Sequence, residues 1–172
     1  MTTKVSSVTT EPKIVERSEQ PYMGIRLWIP SKELSVWQVK LTKELSKWLE
    51  KHNLKPAGPV FHRFYVINMG TEFEFEIGIP VEKSVAGDER VKPGILPAGR
   101  YAALIYTGRN NAYKGNKTLV EWARDNGIKW DRWDDPRGDA FRCRYESYLT
   151  DRTSEVDKKD WQTEVAIKVV DS

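Results

Sequence analysis

Two glutamates stand among neighbours that can put a carboxylate to use. Glu76 lies in TEFEFEIGIPV (71–81), and Glu146 lies in FRCRYESYL (141–149). Alternate residues of an extended strand share a face. Over 72–79 that rule groups Glu72, Glu74, Glu76 and Gly78 against Phe73, Phe75, Ile77 and Ile79. Over 141–149 it groups Arg142, Arg144, Glu146 and Tyr148 against a core-like Phe141, Cys143, Tyr145 and Leu149. A carboxylate in an aromatic-walled cleft attracts cations, with help from cation–π attraction. Desolvation in the same cleft raises its pKa and leaves an acid able to donate a proton. The pattern leaves both uses open, beside a solvated strand face with an Arg–Glu cross-strand pair. Gly78 thins its face, so something is expected to approach the backbone there.

Aromatic residues supply candidate walls. The chain of 172 residues holds seven Trp and seven Tyr, more than isolated surface positions account for. Trp28 and Tyr106 fall late in two equivalent strands, whereas Tyr22 and Tyr101 begin theirs. Trp130 and Trp133 lie in KWDRWDDPRGD, read as a polar loop in which a Trp is either a lid over a pocket or a plug. Asp131, Asp134, Asp135 and Asp139 lack calcium-loop spacing and are interrupted by Arg132 and Arg137. His52 and His62 are not at ligand spacing with Cys143, and neither is placed in the cleft. Dinucleotide, phosphate-loop, serine-hydrolase and zinc-hydrolase motifs are missing, and no metal or cofactor is expected.

A formal charge of +3 from 28 basic and 25 acidic side chains, without a dense basic cluster, argues against direct nucleic-acid binding. The single Cys143 excludes an internal disulfide, and its place on the core-like face points to a buried thiol. No apolar run approaches membrane-spanning length, so the expected location is cytoplasmic. Residues 1–11 read as a flexible tail.

These residues must be positioned by repeated elements. YMGIRLWIP (22–30) reads as a strand. Leu34, Trp37, Leu41, Leu45 and Trp48 then follow helical spacing until His52 and Asn53, and VFHRFYVI (60–67) and 71–79 return to strands. The order recurs in YAALIYTG (101–108), KTLVEWARDNG (117–127), 141–149 and 163–169. Tyr101 falls over Tyr22, Trp122 over Trp48 and Glu164 over Glu76. The expected fold is α+β: duplicated β-α-β-β units with pseudo-twofold symmetry, over an antiparallel or mixed sheet. Both helices lie on one face and a ligand cleft on the other. One domain spans 12–172, with halves at about 12–86 and 87–172.

PAGPVF (56–61), EFEIGIPV (74–81), ILPAGRYAALIYTG (95–108), TLVEWARDNG (118–127), YESYLTD (145–151) and TEVAIKV (163–169) together resemble the GyrI-like small-molecule-binding family. Its members are similar to the effector-binding domains of bacterial multidrug-sensing activators, and distant relatives of SOUL-like fold bind haem. The resemblance implies a cleft between two halves where a buried glutamate meets cationic aromatic ligands. Glu146 matches that glutamate, Glu76 matches a position that helps line the cleft, and tyrosines and tryptophans form the walls. The implied ligand-binding set is Glu146, Tyr148, Glu76, Trp28, Tyr106 and Trp133. Gly108-Arg109-Asn110 and the Gly-interrupted NAYKGNK depart from the family pattern at one pocket edge. With about a dozen residues before the first strand, the chain reads as a free-standing form. Three functions follow from the resemblance. The first is binding of small hydrophobic or cationic aromatic compounds. The second is hydrolysis of strained, cyclopropane-bearing genotoxins by Glu146 with Tyr148 or Glu76. The third is interaction with gyrase or a regulator.

Overall fold

The apolar stripe that begins at Leu34 forms helix α1 (Leu34–Lys51), with Leu41, Leu45 and Leu49 buried. The protein is described here by a computed structural model covering residues 8–68 and 70–171. Helix α1 lies over strands β2 (Gln20–Pro30) and β4 (Glu72–Pro80), whose Met23, Ile25, Ile29, Phe73, Phe75, Ile77 and Ile79 complete one core. Each such side chain contributes roughly 1.5–3 kcal/mol when fully buried, so a one-residue slip of either strand is heavily penalised. In the second half α2 (Ala112–Asp125) lies over β6 (Gly99–Thr107). There Leu119 packs with Ala102, Leu104 and, from β10 (Gln162–Lys168), Val165 and Ile167.

Both helices end in the same way. The amide of Leu54 donates to Leu49 O at 2.9 Å and that of Asn53 to Glu50 O at 3.1 Å. The amide of Ile128 donates to Ala123 O at 2.9 Å and that of Gly127 to Arg124 O at 3.2 Å. Asn53 (φ 58°) and Gly127 (φ 66°) take the left-handed conformation that this Schellman stop requires. The shared stop follows the helix Trp at the same interval in both halves, as a duplicated unit requires.

The remaining strands are β1 (Lys13–Arg17), β3 (Phe61–Asn68), β5 (Lys92–Leu96), β7 (Arg132–Asp135), β8 (Gly138–Phe141) and β9 (Arg144–Tyr148). The sheet runs β1-β6-β10-β9-β3-β4-β2-β5, and every named pairing is antiparallel. The result is an α+β fold with two helices on one face of a curled, half-barrel sheet. Strands β3 and β9 form the seam, pairing Phe61 with Ser147, His62 with Glu146 and Arg63 with Tyr145. Each half also lends its leading strand to the other, since β1 pairs with β6 and β5 with β2.

Four local expectations give way. The Asp-rich segment is a hairpin, β7–β8, joined to β3 through Val66–Ala140 and Ile67–Asp139, and its charges conceal the alternation. Helix α2 starts at Ala112, ahead of 117, and takes Gly115 into its interior. Residues 8–10 of the expected tail extend the sheet: Thr9 bridges Tyr106 and the Thr10 amide donates to Ile105 O at 2.8 Å. Residues 1–7 of that tail lie outside the described residues. Phe141 and Cys143 do not share a face, because the chain leaves extended pairing between β8 and β9 and the alternation restarts. Phe141 packs on the helix side, while Cys143 and Tyr145 join Tyr22, Phe61, Leu96 and Tyr101 in a second core on the opposite face.

Candidate functional site

Register separates the two glutamates. Glu146 lies opposite His62 on one side and Val165 on the other, so it faces the helices. Glu76 lies opposite Arg26 and Arg63 and faces away from them. The expected set therefore divides: Glu146, Tyr148 and Tyr106 meet on the helix side, away from the face where the cleft was expected, while Glu76, Trp28 and Trp133 are on that opposite face.

On the helix side, α1 covers β2 and β4 and α2 covers β6, which leaves the seam strands as the floor of a groove. Glu146 is half-buried there. Its Oε1 accepts from the Tyr106 hydroxyl at 2.9 Å, and its Oε2 accepts from the Asn116 side-chain amide of α2 at 3.2 Å. Gly115 makes this possible. A Cβ there would come within 2.7 Å of the Tyr106 ring, so the bare backbone lets the ring lie beneath α2 and reach the carboxylate. The departure at NAYKGNK thus has a packing reason. Asn116 Oδ1 in turn accepts from Arg144 Nη2 at 3.0 Å.

Beside Glu146, the buried His62 imidazole meets Gln38 of α1 at 2.7 Å through Nδ1 and also bonds the Tyr148 hydroxyl. Burial, then the Arg152 charge, pushes His62 well below its ordinary pKa and keeps it neutral. Burial first and the Glu146 charge second push the Tyr106 and Tyr148 hydroxyls upward, so both remain protonated donors. The groove therefore holds a carboxylate bonded by neutral donors, with no ion pair to it among the described residues.

The opposite face holds a tighter cluster. Glu76 Oε1 accepts from the Tyr22 and Tyr65 hydroxyls, each at 2.6 Å, and Arg63 Nη1 donates to the Tyr22 hydroxyl at 3.0 Å. Tyr65 shares this face with Arg63 by plain alternation, and a bulge between Phe64 and Val66 resets the register beyond it. Its hydroxyl is pushed up to about 12 by burial and by Glu76. The expected close approach at Gly78 comes from within the chain: a Cβ would lie 2.2 Å from the Phe61 ring. Alongside is a hollow of about 560 Å³, bounded by Arg26, Tyr65, Glu74, Trp133 and Arg142. Trp133 is 44% exposed at its rim, whereas Trp130 packs against the core under α2. Trp28 is covered by the Arg137 guanidinium, 3.4 Å from its ring centroid. Among the described residues no group of three His, Cys, Asp or Glu side chains is placed to hold a metal ion. No helix of the described residues is long and apolar enough to cross a membrane.

Residues 10–170 match the GyrI-like small molecule binding domain. The chain belongs to the GyrI-like family. Its fold is similar to that of EcmrR in a DNA complex, at 17% identity and a TM-score of 0.77, covering 94% of this chain and 57% of EcmrR. It is also similar to SAV2435 bound to tetraphenylphosphonium, at 10% identity and a TM-score of 0.61, covering 94% of each chain. A hydrolase from Listeria innocua aligns at 14% identity and a TM-score of 0.57, covering 93% of this chain and 92% of the hydrolase. At these identities the likeness shows the fold alone. No curated protein matches.

The GyrI-like groove contains residues the motifs did not mark. His62 is in it, contrary to the expectation that neither histidine would be. Its signal was the β3–β9 register, which a single strand's alternation does not reveal. Asn116 and Gln38 come from helix positions that read as ordinary polar residues. Arg152 follows the YESYLTD run and stacks on Tyr148 across a turn.

Proposed function

We propose that this GyrI-like domain binds small hydrophobic aromatic compounds in the groove between its helices, with Glu146 accepting a hydrogen bond from the ligand. The observation that carries the reading is the half-buried Glu146, its carboxylate held between Tyr106 and Asn116 and free of any ion pair among the described residues. A carboxylate fixed by neutral donors keeps its remaining lone pairs for a ligand. The ring of Tyr148, and that of the buried Trp161 just before β10, which meets the same Arg152 guanidinium, supply apolar contact. The tetraphenylphosphonium-bound SAV2435 supports an aromatic ligand for this fold.

Turnover is a second reading. It is favoured by the pairing of Glu146 with His62 across the seam, and of His62 with the Tyr148 hydroxyl. That register sets the Glu146 carboxylate on a strand face beside uncharged groups, where it could position water against an electrophile. The likeness to a hydrolase from Listeria innocua is consistent with it.

Tryptophan-fluorescence titration of wild type and Glu146→Gln with aromatic compounds, followed by mass spectrometry of the compounds, tests both. Binding should weaken about tenfold to a hundredfold in the variant, the range for a hydrogen bond to a charged group. Equal affinities would remove Glu146 from the site. A hydrated product formed by wild type alone would establish turnover.

A further inference from the structure

Charge in the groove runs against the class of ligand that its glutamate invites. Among the described residues, the charge-bearing side chains tied to its hydrogen bonds and rings are Glu146, Arg144 and Arg152. Arg144 stands one amide away from Glu146, through Asn116, and its guanidinium also lies 4.8 Å from the Phe141 ring centroid. Asp139 also acts on Arg144, but it is hydrogen-bonded to Arg132. His62 is held neutral and adds no charge. One carboxylate therefore faces two guanidiniums.

Arg152 is the more telling of the two. Its guanidinium carbon lies 3.6 Å from the Tyr148 ring centroid and 4.9 Å from that of Trp161. Those aromatic surfaces are where the cationic centre of a ligand beside Glu146 would stack. The turn around Arg152 is closed by Asp151, whose Oδ1 accepts from the Thr153 amide at 2.8 Å and the Thr153 hydroxyl at 2.7 Å. Arg152 also acts electrostatically on Tyr106, Tyr148 and His62, three of the groups around Glu146. The place of a ligand's cation is taken by a side chain of the protein.

We propose that Arg152 sets the specificity of this site, and that the groove takes aromatic compounds without positive charge and excludes lipophilic cations. The inference rests on the groove reading above and names the ligand class for it. A cation entering the groove must displace Arg152 from two aromatic faces and then lie beside Arg144. A neutral or anionic aromatic compound can leave Arg152 in place and stack on the outer face of its guanidinium, over Tyr148. Glu146 then serves as a hydrogen-bond acceptor and not as a counter-ion.

The test uses two ions of the same shape and opposite charge, tetraphenylphosphonium and tetraphenylborate. Their affinities are measured calorimetrically against wild type, Arg152→Gln and Glu146→Gln. Arg152 is exposed on a loop, so its substitution leaves the fold intact. Wild type should prefer the borate. Arg152→Gln should shift the ratio toward the phosphonium by about tenfold, the order expected for one charge at the edge of an aqueous groove. Glu146→Gln should shift the ratio the other way. A wild type that prefers the phosphonium, or a ratio unmoved by Arg152→Gln, overturns the inference; a Glu146→Gln effect in the same data leaves the groove reading standing. If neither ion binds any variant, the groove reading and the inference fall together.

Discussion

The two faces of the sheet each carry a glutamate bonded to a tyrosine, and they use it differently. On the open face Glu76 is 5% exposed, two tyrosine hydroxyls share one of its oxygens, and Arg63 is linked to it through Tyr22. The other oxygen of Glu76 lies against Gly24, and the residue is almost closed off from solvent. On the helix face Glu146 has one neutral donor on each oxygen and is only half-buried. Burial alone does not mark a functional carboxylate. The two glutamates differ in what the protein already supplies: Glu76 is tied into a buried tyrosine–arginine network beside a hollow of about 560 Å³, whereas Glu146 has neutral donors alone. On the proposed function, Glu76 is a structural group and Glu146 is the one that meets a ligand.

The largest expected effect tests that contrast directly. Glu76→Ala removes the acceptor of two buried hydroxyls and leaves Arg63, 8% exposed, without its compensating charge. Loss of one partner from such a buried arrangement costs about 3–5 kcal/mol. Glu146→Ala should cost about 1 kcal/mol, because water can take over its hydrogen bonds. Urea denaturation of both variants measures the difference. Equal losses would break the comparison and make Glu146 a structural residue as well.

Two glycines sharpen it at a smaller scale. Gly115→Ala brings a Cβ to 2.7 Å from the Tyr106 ring, and Gly24→Ala brings one to 2.6 Å from the Glu76 carboxylate. In α2 the substitution gains about 0.5–1 kcal/mol of helix propensity, but overpacking costs about 1–3 kcal/mol, so a net loss is expected. The binding readout separates the two. Gly115→Ala should weaken ligand binding, because Tyr106 is moved away from Glu146. Gly24→Ala should lower stability and leave affinity unchanged. Matching affinities in the two variants would disconnect Tyr106 from the site.

Much of the architecture was legible because periodicity reports burial. Leu41, Leu45 and Leu49 mark α1, and the alternation of Phe73, Phe75, Ile77 and Ile79 marks the helix-facing side of β4. The paired helix stops at Asn53 and Gly127 announced the repeat. The candidate site was only partly legible. Glu146, Tyr148 and Tyr106 come together, but Glu76, Trp28 and Trp133 belong to the other face. Side-chain alternation orders residues within one strand. It does not say which face of one strand continues which face of another, and the break between Phe141 and Arg144 reset it once more. His62 and Arg152 depend on strand pairing and on a turn, and neither has a periodic signature.

The smallest effect follows from His62, which gives the helix side a pH dependence that the tyrosines of the open-face cluster do not share. Tyr65 is pushed up to about 12 and Tyr22 higher, so neither titrates near neutrality. His62 is 1% exposed and held neutral, first by burial and then by Arg152. An unfolded chain protonates this histidine below about pH 6.5, whereas the folded one does so only well below that. The unfolded state then binds more protons, so stability present above pH 6.5 is lost as pH falls, at about 1.4 kcal/mol per unit until the folded pKa is reached. Between pH 7.5 and 5.5 wild type should therefore lose about 1.4 kcal/mol more than His62→Gln, or roughly 3–5 °C in Tm for a domain of this size. The carboxylates are common to both proteins and cancel in the difference. Parallel pH profiles would mean that the His62 site accepts a proton in the folded state. The groove floor would then carry a further positive charge in acid, and discrimination against cations would sharpen as pH falls.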